Sequence, residues 1–240
     1  MQALIFDVDG TLAETEELHR AAFNEAFAAP DGPGWHWDQP LYAKLLAVTG
    51  GKERIAHFAP TLPAGRIQSL HAAKTAHYAR VVATGGLDPR PGIRRLLQAA
   101  HHAGVKLAIA TTTSPANIET LLAACGNLPP FDAIAAGDEV AAKKPAPDVY
   151  LLALRRLGLP AEACVAIEDT ENGLRSASGA GLRCLITTSL YGGTGRFPGA
   201  AAVVTDLGEP GAQAVVLAGP PLPTGVVDLP WLAALPAPGA

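Results

Sequence analysis

Residues 3–11 have the sequence Ala3-Leu4-Ile5-Phe6-Asp7-Val8-Asp9-Gly10-Thr11, a short apolar run followed by two carboxylates and a glycine. An uninterrupted apolar run of this kind predicts a strand that is buried on both faces, as in a parallel sheet. Asp7 and Asp9 are separated by one residue, so their side chains point the same way at the strand end, and Gly10 allows a sharp turn. Two such carboxylates repel each other unless a divalent cation neutralises them or one holds a proton. The stretch predicts either such a polar site or an Asp-rich turn that caps the next helix.

Similar apolar runs recur along the chain between patterns typical of amphipathic helices. They cover residues 105–110, 133–136, 164–167 and 182–186. This alternation predicts the α/β class, with a Rossmann-like parallel sheet covered by helices on both faces. Two helices have specific signals: Ser114-Pro115 supplies an N-cap and a proline at the first helical position, and Pro147 opens a helix that ends at Gly158.

The interval from residue 13 to residue 90 is far longer than one crossover helix needs. Apolar residues at helical spacing form two stripes in it, Leu18, Ala22, Phe23, Ala26 and Phe27 in one and Ile67, Leu70, Ala73 and Ala76 in the other. We therefore predict a small helical bundle. The expected domains are an α/β core at residues 1–13 and 86–240 and a small α-helical cap at residues 14–85, inserted after the first strand.

The residues after 200 are rich in glycine and proline. We expect them to follow the surface as irregular chain, with residues 201–204 as an edge strand and residues 228–235 as a short terminal helix.

Composition and charge argue against several classes of function. The chain of 240 residues is 49% hydrophobic and 17% charged, which predicts an ordered globular protein. The net charge is −4 and the basic residues are scattered, so we expect no nucleic-acid partner. If the chain binds phosphate, a few converging groups in a pocket must hold it, which favours a small-molecule substrate. The sequence shows no charged leader before the first strand and no apolar span long enough to cross a bilayer. We therefore expect a cytoplasmic protein, without a membrane partner, that acts as a monomer.

Polar residues follow the predicted strands at the ends where ligands bind in open α/β sheets. Thr111 and Thr112 follow the second strand, Glu168-Asp169 follows the fourth, and Lys144 precedes a helix near the same edge. Each also has a structural alternative. A threonine at a strand end can satisfy a backbone group, a lysine beside another lysine can be solvated surface, and two acidic residues can stabilise a helix N-terminus.

Four motifs follow one another along the chain. They are Asp7-Val8-Asp9-Gly10-Thr11, Ala108-Ile109-Ala110-Thr111, Lys144-Pro145-Ala146-Pro147-Asp148 and Ala166-Ile167-Glu168-Asp169-Thr170. Together they resemble the motifs of the haloacid-dehalogenase-like phosphatases. The resemblance implies a phosphatase that uses Mg²⁺ and an aspartyl-phosphate intermediate.

By this resemblance, Asp7 is the nucleophile that attacks phosphorus and Asp9 is the general acid/base. The implied Mg²⁺ ligands are one Asp7 oxygen, the main-chain carbonyl of Asp9, and Asp169, with Glu168 orienting a water ligand.

The resemblance also implies a set of residues that bind the phosphoryl group. Thr111 ends the second motif and Thr112 directly follows it, while Lys144 supplies a fixed positive charge. Lys144 is chosen over Lys143 because the family's lysine directly precedes the proline.

Three further stretches are similar to the CbbY-type sugar-phosphate phosphatases. They are Ala13-Glu14-Thr15-Glu16-Glu17-Leu18-His19, Thr49-Gly50-Gly51-Lys52-Glu53-Arg54-Ile55 and Glu168-Asp169-Thr170-Glu171-Asn172-Gly173-Leu174. This similarity extends to about residue 187 and implies a sugar bisphosphate substrate, with xylulose 1,5-bisphosphate as the leading candidate. The substrate-binding residues expected in the cap are Glu16 for sugar hydroxyls, the turn Gly50-Gly51, and Lys52, Arg54 and Lys74 for a second phosphate.

Other functions remain open at this point. A phosphomutase of the β-phosphoglucomutase kind shares the motifs and the cap, although Glu16 and Gly50-Gly51-Lys52 favour the phosphatase. A dehalogenase would lack the second aspartate, Asp9, and a non-catalytic sugar-phosphate-binding regulator would ordinarily have lost Asp7 or Asp9. His19 is expected to pack or hydrogen-bond beside the site.

Overall fold

A computed structural model of the chain describes residues 1–85, 87–192 and 197–237. Within these residues, seven strands form one sheet in the order β3-β2-β1-β4-β5-β6-β7. The strands are β1 (Ala3–Phe6), β2 (Lys106–Ala110), β3 (Ala133–Ala135), β4 (Cys164–Glu168), β5 (Arg183–Thr187), β6 (Ala202–Val204) and β7 (Val216–Ala218). All neighbouring pairs are parallel except β6 and β7. The predicted α/β class with a Rossmann-like parallel sheet is confirmed.

The register of the central strands sets the position of the polar residues. Phe6 at the end of β1 is paired with Ile109 of β2 on one side and Ile167 of β4 on the other. The residues that follow these three positions therefore emerge at the same edge of the sheet. This edge is where ligands bind in open parallel sheets.

Helices cover both faces of the sheet. Alternate residues of β1 point to opposite faces, so Leu4 and Phe6 belong to one buried apolar cluster and Ala3 and Ile5 to another. The covering helices are α5 (Ile93–His102), α6 (Pro115–Cys125), α7 (Asp148–Leu157) and α8 (Glu171–Gly179). Ser114 occupies the N-cap position of α6, and Gly158 ends α7 in the left-handed conformation, as predicted, whereas Pro147 precedes the first residue of α7.

Four helices lie between β1 and α5. They are α1 (Glu16–Ala28), α2 (Gln39–Leu45), α3 (Gly51–Phe58) and α4 (Ala64–Gly85), and we call them the helical insert. Aromatic side chains, including Phe23, Phe27, Trp37 and Tyr42, form most of its buried cluster. Gly86, where the sequence predicts the return to the core domain, lies outside the described residues, as do residues 193–196 and 238–240.

The apolar stripe predicted for α4 is wrong in part. The buried side chains of this helix are Leu70, Lys74, Tyr78 and Val82, which recur every four residues, while Ala76 is exposed. The prediction failed because it counted only apolar residues, whereas the buried face of α4 includes a lysine whose ammonium group reaches a polar cavity.

The prediction for the C-terminal segment needs two corrections. Strand β6 is not an edge strand, because β7 pairs with it in the antiparallel direction. Much of the segment is also not surface chain, since Val227, Leu232 and Leu235 are buried in the apolar cluster that contains Leu4 and Phe6. The terminal helix is confirmed as α9 (Leu229–Ala233), with Asp228 as its N-cap. The described helices include none that is long and apolar enough to cross a membrane.

Candidate active site

A cavity lies at the carboxyl end of the sheet, between the strand ends and the helical insert. Most of the residues predicted to bind substrate or metal line it, namely Asp7, Asp9, Glu16, Gly50, Gly51, Lys52, Arg54, Lys74, Thr111, Thr112, Lys144 and Asp169. Glu168 does not line the cavity and is completely buried. The fold thus brings together residues that are up to 162 positions apart in the chain, from Asp7 to Asp169.

Lys144 lies between two of the predicted carboxylates. Its Nζ atom is 2.7 Å from Asp7 Oδ1 and 2.5 Å from Glu168 Oε1, and all three side chains are buried. Burial raises the pKa of the Asp7 carboxyl to about 7, although the charge of Lys144 acts in the opposite direction. Burial lowers the pKa of Lys144, but the neighbouring Asp7 and Glu168 outweigh it and raise that pKa above its ordinary value. Lys144 is therefore a fixed ammonium group beside Asp7.

Asp7, Glu168 and Asp169 form a cluster of carboxylates. One oxygen from each lies within 4.8 Å of the other two. Asp169 accepts hydrogen bonds from the hydroxyls of Ser189 at 2.6 Å and Thr11 at 3.4 Å, but the described residues offer it no cationic partner within an ion-pair distance. Burial and the neighbouring carboxylates raise the pKa of Asp169 well above its ordinary range. Hard oxygen donors with uncompensated negative charge suit a divalent cation such as Mg²⁺.

Gly10 is necessary for this cluster. Its φ angle is +78°, in the left-handed region that favours glycine, and a Cβ atom at this position would collide with the Asp169 carboxylate. The turn after β1 therefore brings its backbone directly against the end of β4.

Asp9 accepts hydrogen bonds from three side chains other than Lys144. The hydroxyls of Thr15 and Thr113 are each 2.5 Å from its oxygens, and His19 Nε2 is 3.0 Å away. Burial alone would raise the pKa of Asp9, but the charge of His19 and these three hydrogen bonds outweigh it and lower the pKa well below its ordinary value. Asp9 is thus held as a carboxylate.

Thr15 and Thr113 were missed by the sequence analysis. A signal existed for Thr113, since it follows Thr111 by two residues and can face the same side at the end of β2. Its backbone N–H also donates to Thr111 Oγ1 at 3.2 Å. Thr15, the N-cap residue of α1, lies in the stretch from Ala13 to His19 that is similar to the CbbY-type phosphatases, but that similarity implied no role for it.

His19 and Lys74 connect Asp9 to the helical insert. Lys74 Nζ is 2.6 Å from His19 Nδ1, and the His19 ring stacks on Tyr78 with a centroid distance of 4.1 Å. Burial lowers the pKa of Lys74 to about 8. The expectation that His19 hydrogen-bonds beside the site is confirmed by this geometry.

The remaining predicted residues lie on the wall that the helical insert contributes. Glu16 accepts a hydrogen bond from the Tyr42 hydroxyl at 2.7 Å, and Arg54 donates to the same hydroxyl at 3.1 Å. Gly50 has a φ angle of +98° at the start of α3. Lys52 follows this turn and is exposed at the mouth of the cavity.

The fold, the order of the motifs and the carboxylate cluster beside Lys144 together define a class of enzyme. Comparison with known proteins identifies the same class. The family model for haloacid dehalogenase-like hydrolases matches residues 1–181. The chain belongs to this family, and it is a phosphatase.

Within the family, the chain is most informatively compared with CbbY proteins. It is 51% identical to protein CbbY of Cereibacter sphaeroides over 225 residues, which cover 89% of this chain and 96% of the relative. It also resembles a crystal structure of CbbY from Rhodobacter sphaeroides in complex with xylulose-(1,5)bisphosphate, with a TM-score of 0.80, 50% identity and coverage of 86% and 94% of the two chains. A β-phosphoglucomutase from Clostridium difficile shares the fold at 22% identity, with a TM-score of 0.70 and coverage of 85% and 90%.

Proposed function

We propose that this phosphatase hydrolyses a sugar bisphosphate, with xylulose 1,5-bisphosphate as the leading candidate, through an aspartyl-phosphate on Asp7 and with Mg²⁺ as cofactor. The observation that carries the proposal is the buried Asp7 carboxylate held beside the Lys144 ammonium group at the end of β1. The similarity to a CbbY protein with that sugar bisphosphate bound supports the substrate class.

The residues at the sheet edge fit the proposed metal. Asp7, Asp169 and the main-chain carbonyl of Asp9 would hold Mg²⁺, with Glu168 next to them. When bound there, Mg²⁺ would withdraw negative charge from the phosphoryl oxygens. Lys144 neutralises only part of the charge of the three clustered carboxylates, so the donor set retains the negative charge that a divalent cation requires.

The first half of the reaction transfers the phosphoryl group to the enzyme. An oxygen of Asp7 attacks phosphorus in line, the new bond between this oxygen and phosphorus forms, and the bond from phosphorus to the sugar oxygen breaks. Lys144 provides a positive charge for the phosphoryl oxygens, and Thr111 and the adjacent Thr112 line the cavity and are available to donate hydrogen bonds to them.

Asp9 moves the protons in both halves of the reaction. The departing sugar oxygen takes a proton from Asp9, and in the second half Asp9 takes one from the water that hydrolyses the aspartyl-phosphate. The hydrogen bonds to Asp9 and the charge of His19 keep Asp9 ionised, which is the form needed for the second half. The negative charge of an arriving phosphate ester raises the pKa of a neighbouring carboxyl and so favours its protonated form for the first half.

The helical insert acts as the proposed cap that selects the substrate. It contributes Glu16 and Lys52 to the cavity wall, and we propose that Glu16 accepts hydrogen bonds from sugar hydroxyls and that Lys52 binds a second phosphate. Arg54 and Lys74 also line the cavity and complete the proposed cationic set. We expect the enzyme to act as a monomer.

The test is phosphate release from a panel of sugar mono- and bisphosphates that includes xylulose 1,5-bisphosphate and β-glucose 1-phosphate. We expect Mg²⁺-dependent release from the bisphosphate and none from Asp7→Asn, which keeps the shape of the side chain. Isomerised phosphate without release would show a phosphomutase instead. Sugar-phosphate binding without any turnover would indicate a regulator.

A further inference from the structure

The buried Glu168 carboxylate has a separate set of partners for each of its oxygens. Oε1 accepts hydrogen bonds from Lys144 Nζ at 2.5 Å and from the Tyr150 hydroxyl at 2.7 Å, while Oε2 accepts one from the Asp169 N–H at 3.2 Å. On the side of α8, a Cβ atom added to Gly173 would collide with both oxygens. The carboxylate is therefore confined between α7, α8 and Lys144.

Tyr150 lies in the first turn of α7 and has no exposed surface. Its ring packs in the apolar cluster against β2 and β3, and its centroid is 5.2 Å from Lys144 Nζ. Burying a hydroxyl costs free energy unless it is hydrogen-bonded. Among the described residues, the Tyr150 hydroxyl forms its hydrogen bond with Glu168. A phenylalanine would fill the same apolar space, so this hydrogen bond is what the tyrosine adds.

We propose that Tyr150 is a positioning residue, whose hydroxyl fixes Glu168 so that Lys144 is shared between Glu168 and Asp7. Without this donor, Glu168 Oε1 depends on the Lys144 ammonium alone, and the ammonium is drawn from Asp7 towards Glu168. The carboxylate cluster then loses the arrangement that suits a divalent cation. This inference rests on the proposed function, because it assumes that the cluster binds Mg²⁺.

The test compares wild type with Tyr150→Phe by calorimetric titration with Mg²⁺ alone and by steady-state kinetics on the sugar bisphosphate. Substitution of a residue that orients a metal ligand typically lowers metal affinity or activity by about 10- to 100-fold. We expect the Kd for Mg²⁺ to rise about 10-fold and kcat to fall about 10-fold, with KM for the sugar bisphosphate within about twofold.

Val149→Ala is the matched control, since Val149 is the neighbouring buried residue of α7 and belongs to the same apolar cluster. It should lower the Tm and leave the Kd for Mg²⁺ unchanged. Equal loss of Mg²⁺ affinity in this control would show that Tyr150 acts only through the stability of α7, and would overturn the inference.

A second comparison places Tyr150→Phe in a Glu168→Gln background. If Tyr150 acts through Glu168, the phenylalanine has no further effect on Mg²⁺ affinity there. The same loss in both backgrounds, or an unchanged Kd in Tyr150→Phe itself, would overturn the inference while leaving the proposed function intact. Absence of Mg²⁺ binding to wild type would overturn both.

Discussion

Lys143 and Lys144 are adjacent in sequence but have different surroundings. Lys144 is buried between Asp7 and Glu168, whereas Lys143 forms an ion pair with Glu53 at the surface, with an Nζ to Oε1 distance of 3.0 Å. An ammonium group in a buried site stabilises developing negative charge more strongly than one in water, because the surroundings screen it less.

We therefore predict that Lys144→Met lowers kcat by about 100- to 1,000-fold, the usual cost of removing one group that stabilises transition-state charge. Lys143→Met is the matched control, since Lys143 also lines the cavity but pairs with Glu53 where solvent reaches the ion pair, and it should change kcat by less than about threefold. Steady-state phosphate release measures both, with near-ultraviolet circular dichroism as a check of folding. Similar losses in the two variants would contradict the distinction between them.

The environment of Lys74 leads to a prediction about pH and stability. Burial lowers the pKa of Lys74 from 10.5 to about 8 in the folded protein. Between these values the unfolded chain binds a proton that the folded protein does not, so the contribution of Lys74 to stability rises with pH across this window. The slope cannot exceed about 1.4 kcal/mol per pH unit.

Lys74→Met removes the titrating group while keeping a long apolar side chain. The difference in the free energy of unfolding between wild type and this variant should shift in favour of wild type from pH 8 to pH 10. Urea denaturation at intervals of pH, without phosphate or sugar phosphate, gives this difference. A difference that does not vary with pH would refute the lowered pKa.

At the residue scale, the sequence could reveal those site residues that directly follow a strand, because ligands bind at the carboxyl ends of the strands in open α/β sheets. Asp7, Thr111 and Asp169 follow strands, and parallel strands bring such residues to one edge. Tyr150 and Ser189 were not predicted, because their role depends on distances to Glu168 and Asp169 that no local pattern encodes.

At the scale of secondary-structure elements, Arg90 connects the loops that follow several strands. Its buried guanidinium donates to Gly10 O at 2.5 Å, to Thr187 Oγ1 at 2.9 Å and to Thr205 O at 3.1 Å. It also forms an ion pair with Glu14 at 3.2 Å. Through these contacts Arg90 fixes the turn after β1 relative to the loops after β5 and β6.

Arg90→Met should lower the free energy of unfolding by about 3–5 kcal/mol, because it leaves buried acceptors without a partner. Arg94→Met is a suitable comparison, since Arg94 is partly buried and, among the described residues, donates only to the carbonyls of Cys125 and Gly126 at the end of α6. Arg94→Met should lower the free energy of unfolding by about 1–2 kcal/mol. Urea denaturation that gives equal losses for the two variants would contradict the proposed role of Arg90.

The central parallel strands were predictable from their continuous apolar runs, and the helices between them from amphipathic patterns and capping signals. Strand β7 was not, since it consists of three residues, Val216–Ala218, in a segment rich in glycine and proline. To pair with β6, the chain must turn back and run antiparallel beside it, and no local sequence pattern predicts this turn.

At the scale of the whole molecule, the helical insert contacts the sheet domain around the mouth of the cavity. Asn172 Nδ2 donates to Thr49 Oγ1 at 3.2 Å, and the Tyr191 hydroxyl donates to Glu17. The family resemblance indicated that the insert covers the site. It did not indicate these contacts, which involve residues outside the predicted site.

The central claim is that the catalytic carboxylate at the edge of this sheet is Asp7 and that it becomes phosphorylated. The most direct measurement is a rapid-quench single turnover with radiolabelled xylulose 1,5-bisphosphate and Mg²⁺, followed by peptide mapping of the labelled protein. We predict transient label on the peptide that contains Asp7, and none in Asp7→Asn. Label on another residue, or full turnover in wild type with no labelled protein at any time point, would contradict the account.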